Sequence, residues 1–151
     1  MRLRSVGIAA ALCVASACGS PAPVPIAIGV DACEHCHMPV SDPRYAAQLV
    51  TVKGRVYRFD DIGCMAAFLA DGVVPAGKVE AAWAADFLHP GRWIPVEAAI
   101  YLRTDSLHTP MASGLIALNP GAPLDSVARA VGGIRLDWAA VREEAQRRRG
   151  S

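Results

Sequence analysis

The sequence predicts an α+β fold: two similar ββα-type units packed together, closed by a C-terminal helix. Three observations lead there. A hairpin pattern over residues 45–59 runs into a capped helical stretch ending at Ala70. The same order of strand, strand, helix returns over residues 98–131, and a last helical run occupies Trp138 to Arg149. Either unit alone would have a marginal core, so the two are expected to pack together.

The chain opens with the short basic stretch Met1-Arg2-Leu3-Arg4, followed by an apolar run from Val6 to Ala17. That run is too short to span a bilayer as a stable helix and reads as an export signal. It ends in Ala15-Ser16-Ala17-Cys18-Gly19, small residues before a cysteine in the manner of the bacterial lipobox. Residues 1–17 are therefore expected to be a lipoprotein signal peptide and Cys18 the lipidated residue, with cleavage by ordinary signal peptidase near the same Ala-x-Ala as the alternative. Gly19 stands where aspartate often retains lipoproteins in the inner membrane. An outer-membrane anchor facing the periplasm is the default, the inner membrane the alternative. Residues 18–31 carry Pro21, Pro23 and Pro25 among small residues and are expected to form an extended, flexible tether. The domain is then 32–151, with halves of about 32–95 and 96–151.

Within it, Tyr45 to Val52 reads as a strand, Lys53-Gly54 as the turn, and Arg55 to Phe59 as the alternating return strand. Asp60-Asp61 supplies an N-cap for a helix from Ile62 to Ala70, whose Ile62, Met65, Phe68 and Leu69 share one face. Capping explains these two carboxylates more simply than acid–base chemistry. Asp71-Gly72 stops the helix. Val79 to Phe87 and Arg92 to Ile94 read as short strands around His89-Pro90-Gly91, with Trp83 and Trp93 as packing residues. Ala98 to Arg103 and Leu115 to Leu118 are the strands of the second unit. A helix from about Pro123 to Val131, capped near its start and stopped by Gly132-Gly133, follows them.

Chemistry concentrates in Cys33-Glu34-His35-Cys36-His37-Met38, where two thiols, two imidazoles and a thioether fall within six residues. Thiolate with thioether favours Cu(I), and a structural Zn(II) site rarely recruits methionine. Pro39 and the Ser41-Asp42-Pro43 turn end the segment, so its ligands sit on a loop. C-x-x-C also serves redox motifs, half zinc sites and disulfide staples. His35 and His37, in a polar loop, are secondary candidates beside the sulfurs. Cys64, one turn before Phe68, is read first as a packing residue at the edge of the apolar helix face and second as a ligand. Met111 follows Pro110 in a short loop without helical periodicity and is a candidate fourth ligand, with buried packing as the alternative.

Composition sets the frame for that chemistry. Of five cysteines, Cys13 leaves with the leader and Cys18 carries lipid, which leaves Cys33, Cys36 and Cys64, an odd number that cannot pair fully within one chain. In an oxidising envelope Cys33 and Cys36 must bind metal, be kept reduced or form a disulfide. Removing residues 1–17 takes two of the 15 basic residues and leaves 13 against 14 acidic ones, a balance that argues against nucleic acid as a partner. The one basic run, Arg147 to Arg149, suits a solvated helix C-terminus. No nucleophile–base arrangement, phosphate loop or dinucleotide fingerprint points to an enzyme.

Several of these stretches together resemble the NosL family, periplasmic copper-binding lipoproteins accessory to nitrous oxide reductase. They are the lipobox at Cys18, Cys33-x-x-Cys36-x-Met38, Tyr57-x-Phe59-Asp60-Asp61 with Cys64-Met65, Trp83-x-x-Asp86-Phe87 with Trp93-Ile94, and Thr109-Pro110-Met111-x-Ser113-Gly114. Where many members have glycine, this chain has His37. The resemblance implies Cu(I) binding through Cys33, Cys36, Met38 and Met111. It also implies delivery to apo-nitrous oxide reductase or another cuproenzyme, and a fold of two similar ββα-type halves. Two readings of other classes stand beside it: a thiol–disulfide oxidoreductase using Cys33 and Cys36, although the thioredoxin-like βαβ pattern is absent, and a structural zinc module drawing on Cys33, Cys36, Cys64 and a histidine.

Overall fold

The computed structural model of the protein describes residues 19–149; the expected signal peptide and Cys18 lie outside the described residues. Among the described residues, two small antiparallel sheets and three helices make up the fold. The predicted hairpin is β1 (Ala47–Thr51) with β2 (Val56–Phe59), paired from Ala47↔Phe59 to Val50↔Val56 around the turn at Gly54, whose φ of 79° only glycine adopts freely. Helix α1 (Ile62–Ala70) follows, and the Asp61 carboxylate caps it by accepting from the Gly63 N–H at 2.6 Å. A 3-10 turn at Ala76–Lys78 leads into β3 (Val79–Ala85) and β4 (Trp93–Pro95), which complete a sheet of order β2-β1-β3-β4. β3 lies on the far side of β1, with Trp83 opposite Gln48.

The second unit starts with β5 (Ile100–Arg103) and β6 (Leu115–Leu118), followed by α2 (Leu124–Val131). Among the described residues no side chain caps α2. Pro123 holds the N-cap position, and its carbonyl accepts from the N–H groups of Ser126 and Val127. After the expected stop at Gly132-Gly133 comes a strand the sequence reading lacks, β7 (Ile134–Leu136), which pairs with β5 in the order β6-β5-β7. Its three residues are exposed or half-buried and too few to carry a period. Helix α3 (Trp138–Arg149) ends the described chain.

The halves share their packing. The Phe87 N–H donates to the Ala117 carbonyl at 2.9 Å, stitching the end of β3 to β6 across the two sheets. One apolar cluster joins Leu49, Phe59, Ile62, Met65 and Phe68 of the first unit to Tyr101, Leu115, Trp138 and Val141 of the second. Helix α3 therefore packs on α1, and the Trp138 and Tyr101 rings stand 5.8 Å apart. α2 covers a second cluster built on Leu102, Ile116, Leu118 and Val127. The sequence reading makes residues 18–31 a flexible tether, but from Val24 the segment is docked. The Gln48 amide, fully buried on β1, accepts from the Val24 N–H at 2.9 Å and donates to the Val24 carbonyl at 3.0 Å. A buried amide needs both partners, and the N-terminal segment supplies them. Ile26 then packs beside Val40, Ala46 and Ala85.

Candidate metal centre

The cysteine turn is fastened to the start of α1. The Cys33 N–H donates to the Met38 carbonyl and the His37 N–H to the Cys33 carbonyl, at 2.8 and 2.9 Å, and Ala32 bridges to Pro39. A further bond at 2.9 Å, from the Glu34 N–H to the Arg58 carbonyl, ties the turn to the end of β2, two residues before Asp60-Asp61 open the helix. On the returning side, the buried Asp60 carboxylate accepts from the Ser41 N–H and hydroxyl at 2.7 and 3.1 Å. Burial nonetheless pushes the Asp60 carboxyl above the usual carboxylate range. His37 takes φ 61°, the left-handed conformation that glycine adopts without strain.

With the turn held there, Cys64 in the first turn of α1 faces the C-x-x-C pair. The sulfurs of Cys33, Cys36 and Cys64 all lie within 4.8 Å of one another, and all three cysteines are free thiols. Cys33 and Cys64 are buried and Cys36 is half-buried. The Cys64 S–H donates to the Cys33 sulfur. Burial opposes ionisation there, but N–H groups of Cys36, Asp60 and His35 join Cys64, and together they hold the Cys33 thiol down to about 4. Cys64 is driven well above the usual thiol value by that same donation, then by burial and by the neighbouring negative charges; Cys36 is raised, chiefly by burial. Cys33 is thus the most acidic of the three thiols, and a metal that binds here displaces protons from the others.

A cavity of about 180 Å³ opens beside the thiols, with Cys64, His35 and Met111 among its walls and α3 contributing Val141 and Glu144. The Met111 loop is tied down by its own residues. Buried Thr109 accepts from the Ala112 N–H through its carbonyl and from the Gly114 N–H through its hydroxyl, at 2.9 and 3.1 Å. It is also tied to α1, since the Met111 N–H donates to Asp61 Oδ2 at 3.2 Å. Glu144 bridges Arg103 of β5 and Arg148 of α3 at the cavity wall.

The structure thus rearranges the candidates. Cys33 and Cys36 stand together, and the third thiol beside them is Cys64, which the sequence reading assigned first to packing. Both descriptions hold, because Cys64 is 2% exposed and belongs to the apolar cluster as well. Met111 and His35 share the cavity with Cys64; His35 Nδ1 lies 3.7 Å from Asp71 Oδ2. Met38 and His37 are exposed on the turn and are not among the cavity walls. Sequence reasoning missed the second task of Asp61 and the part of Glu144; Phe59-Asp60-Asp61 signals a cap, and nothing local signals what else that carboxylate reaches.

Three clustered thiols with a histidine and a thioether on the adjoining wall make a donor set for a soft metal, carried on a two-sheet α+β frame with a C-terminal helix. That frame is the fold of the copper chaperone NosL from Shewanella denitrificans. Its crystal structure matches this one with a TM-score of 0.67 and 17% identity, over 79% of this chain and 96% of that one. Comparison with protein-family models and with curated proteins finds no match for the sequence.

Proposed function

We propose that the protein is a carrier of Cu(I), held as cargo by Cys33, Cys36 and Cys64 with Met111 in support, and passed to an apo-cuproenzyme such as nitrous oxide reductase. The carrying observation is the group of three free thiols within 4.8 Å, one of which, Cys64, lines the cavity that Met111 also lines. Thiolates and a thioether suit Cu(I). A half-buried Cys36 and a half-exposed Met111 leave a face from which an incoming thiolate can take the ion stepwise. The small residues before Cys18 support lipid anchoring in the periplasm, where such a hand-over takes place.

A disulfide exchanger fits less well. It needs an accessible cysteine of low pKa as attacking group. Here the most acidic cysteine, Cys33, is fully buried, and the more accessible one, Cys36, is the one burial raises. Zinc is the second reading, favoured by one observation: Cys64 joins the pair, and His35 stands on the same cavity wall, so a Cys3His set can be drawn. Competition titrations of the reduced protein with Cu(I) and Zn(II) separate the two, with X-ray absorption of the copper form. We expect one Cu(I) bound far more tightly than Zn(II), with sulfur scattering only. Zinc affinity at or above that for Cu(I), with a nitrogen ligand, would overturn the copper reading.

A further inference from the structure

We propose that Asp61 is a positioning residue for the metal, holding Met111 at the thiol cluster; the inference rests on the copper reading above. The carboxylate is fully buried, and its two oxygens serve two different elements. Oδ1 accepts from the Gly63 N–H at 2.6 Å and caps the helix that carries Cys64. Oδ2 accepts from the N–H of Met111, 50 residues away, at 3.2 Å. A cap alone needs one acceptor oxygen. A buried carboxylate is costly unless its lone pairs are used, and the Met111 loop uses the remaining oxygen.

The surroundings show how closely that loop is seated. A Cβ added at Gly63 would stand 2.6 Å from the Ser113 Cβ, so the loop lies against the first turn of α1 at a point where any side chain would push it off. Ala112, next to Met111, takes φ 54°, an uncommon conformation for a residue other than glycine. The loop has no sheet or helix pairing of its own between Thr109 and Gly114 among the described residues, and Met111 is 45% exposed. A thioether is a weak ligand, and an exposed one contributes to affinity only where its position is set in advance. Asp61 sets it: one carboxylate fixes Cys64 and Met111 in the same frame, on the walls of the same cavity.

The test uses Asp61→Asn, Asp61→Ser and Met111→Ala. Asparagine and serine are both good N-caps, so α1 keeps its start. The asparagine amide turns a donor toward the Met111 N–H, and serine is too short to reach it. Cu(I) competition titration gives affinity, and the Met111 methyl resonance in protein labelled at the methionine methyls reports directly on the thioether. We expect each single variant to lower Cu(I) affinity by about 10- to 100-fold, the usual consequence of removing a ligand's supporting partner. Asp61→Asn combined with Met111→Ala should fall no further than Met111→Ala alone, and the Met111 methyl should stop responding to Cu(I) in both Asp61 variants while circular dichroism keeps its helix signal. If Asp61→Asn does not fold, Asp61→Ser carries the same test. Wild-type affinity with a responding methyl in a folded Asp61 variant would overturn the proposal, as would losses that simply add in the double variant. Wild-type affinity in Met111→Ala would also overturn it, leaving the thiol site intact, whereas absence of Cu(I) binding by the unaltered protein would instead refute the copper reading itself.

Discussion

Replacing Cys64 with alanine separates its two descriptions, packing residue and third thiol. As packing, the change removes one buried atom and costs about 1 kcal/mol, near the value of a buried methylene. As a member of the thiol cluster it does much more, because the Cys64 S–H is the largest single influence holding Cys33 down to about 4. Without it, burial acts on Cys33 against only the backbone N–H groups, and its midpoint climbs toward the ordinary thiol value of 9.0. Each tenfold loss of acidity corresponds to about 1.4 kcal/mol of lost thiolate stabilisation, so a midpoint moved past pH 6 is a loss of about 2.7 kcal/mol or more. Thiolate absorbance at 240 nm, followed through an acid titration of the reduced metal-free protein, measures it directly. The unaltered protein keeps a thiolate from neutral pH down to near 4, and Cys64→Ala should lose it well above that. The same loss makes Cu(I) binding more dependent on pH: the metal must now displace a proton from Cys33, so affinity weakens as pH falls across the range where the unaltered site is already ionised. An acidic midpoint that stays near 4 in Cys64→Ala would refute the hydrogen bond from Cys64 to Cys33.

His37→Gly removes a left-handed strain worth about 1 kcal/mol at a position with φ 61°, and should raise the thermal midpoint by about 3 °C while Cu(I) affinity stays unchanged; a lower midpoint would show that the imidazole supports the turn. Burial raises the Glu144 carboxyl, but hydrogen bonds from Arg148 and Arg103, with their charges, outweigh it and hold it below the usual range. A depressed carboxyl contributes stability that is present above the unfolded value of 4.5 and is lost as pH falls through the folded one. Glu144→Gln should therefore be less stable than the unaltered protein by about 1 kcal/mol near pH 7, with the gap closing as pH falls below the unfolded value of 4.5, as urea unfolding at a series of pH values will show.

Local order was legible in the chain wherever it depends on neighbours a few residues apart. The β1–β2 hairpin follows from alternation around Lys53-Gly54, α1 from the Asp61 cap and the apolar face through Ile62, Met65 and Phe68, and the end of α2 from Gly132-Gly133, because turn, cap and period act over one to four residues. The C-x-x-C pair, likewise local, already announced a soft-metal or redox loop. What joins these pieces crosses longer stretches and left no period behind. β3 crosses to pair with β1, β7 is three residues of exposed edge, and α3 buries Trp138 and Val141 in a core begun by β1. The docking of Val24 on Gln48 spans 24 residues and the Asp61–Met111 bond 50. Cys64 shows the reason most clearly. A cysteine on the apolar side of a helix has the same sequence signature whether its neighbour is a phenylalanine or a thiolate, and only the folding of the Cys33–Met38 turn onto the start of α1 decides that it is both.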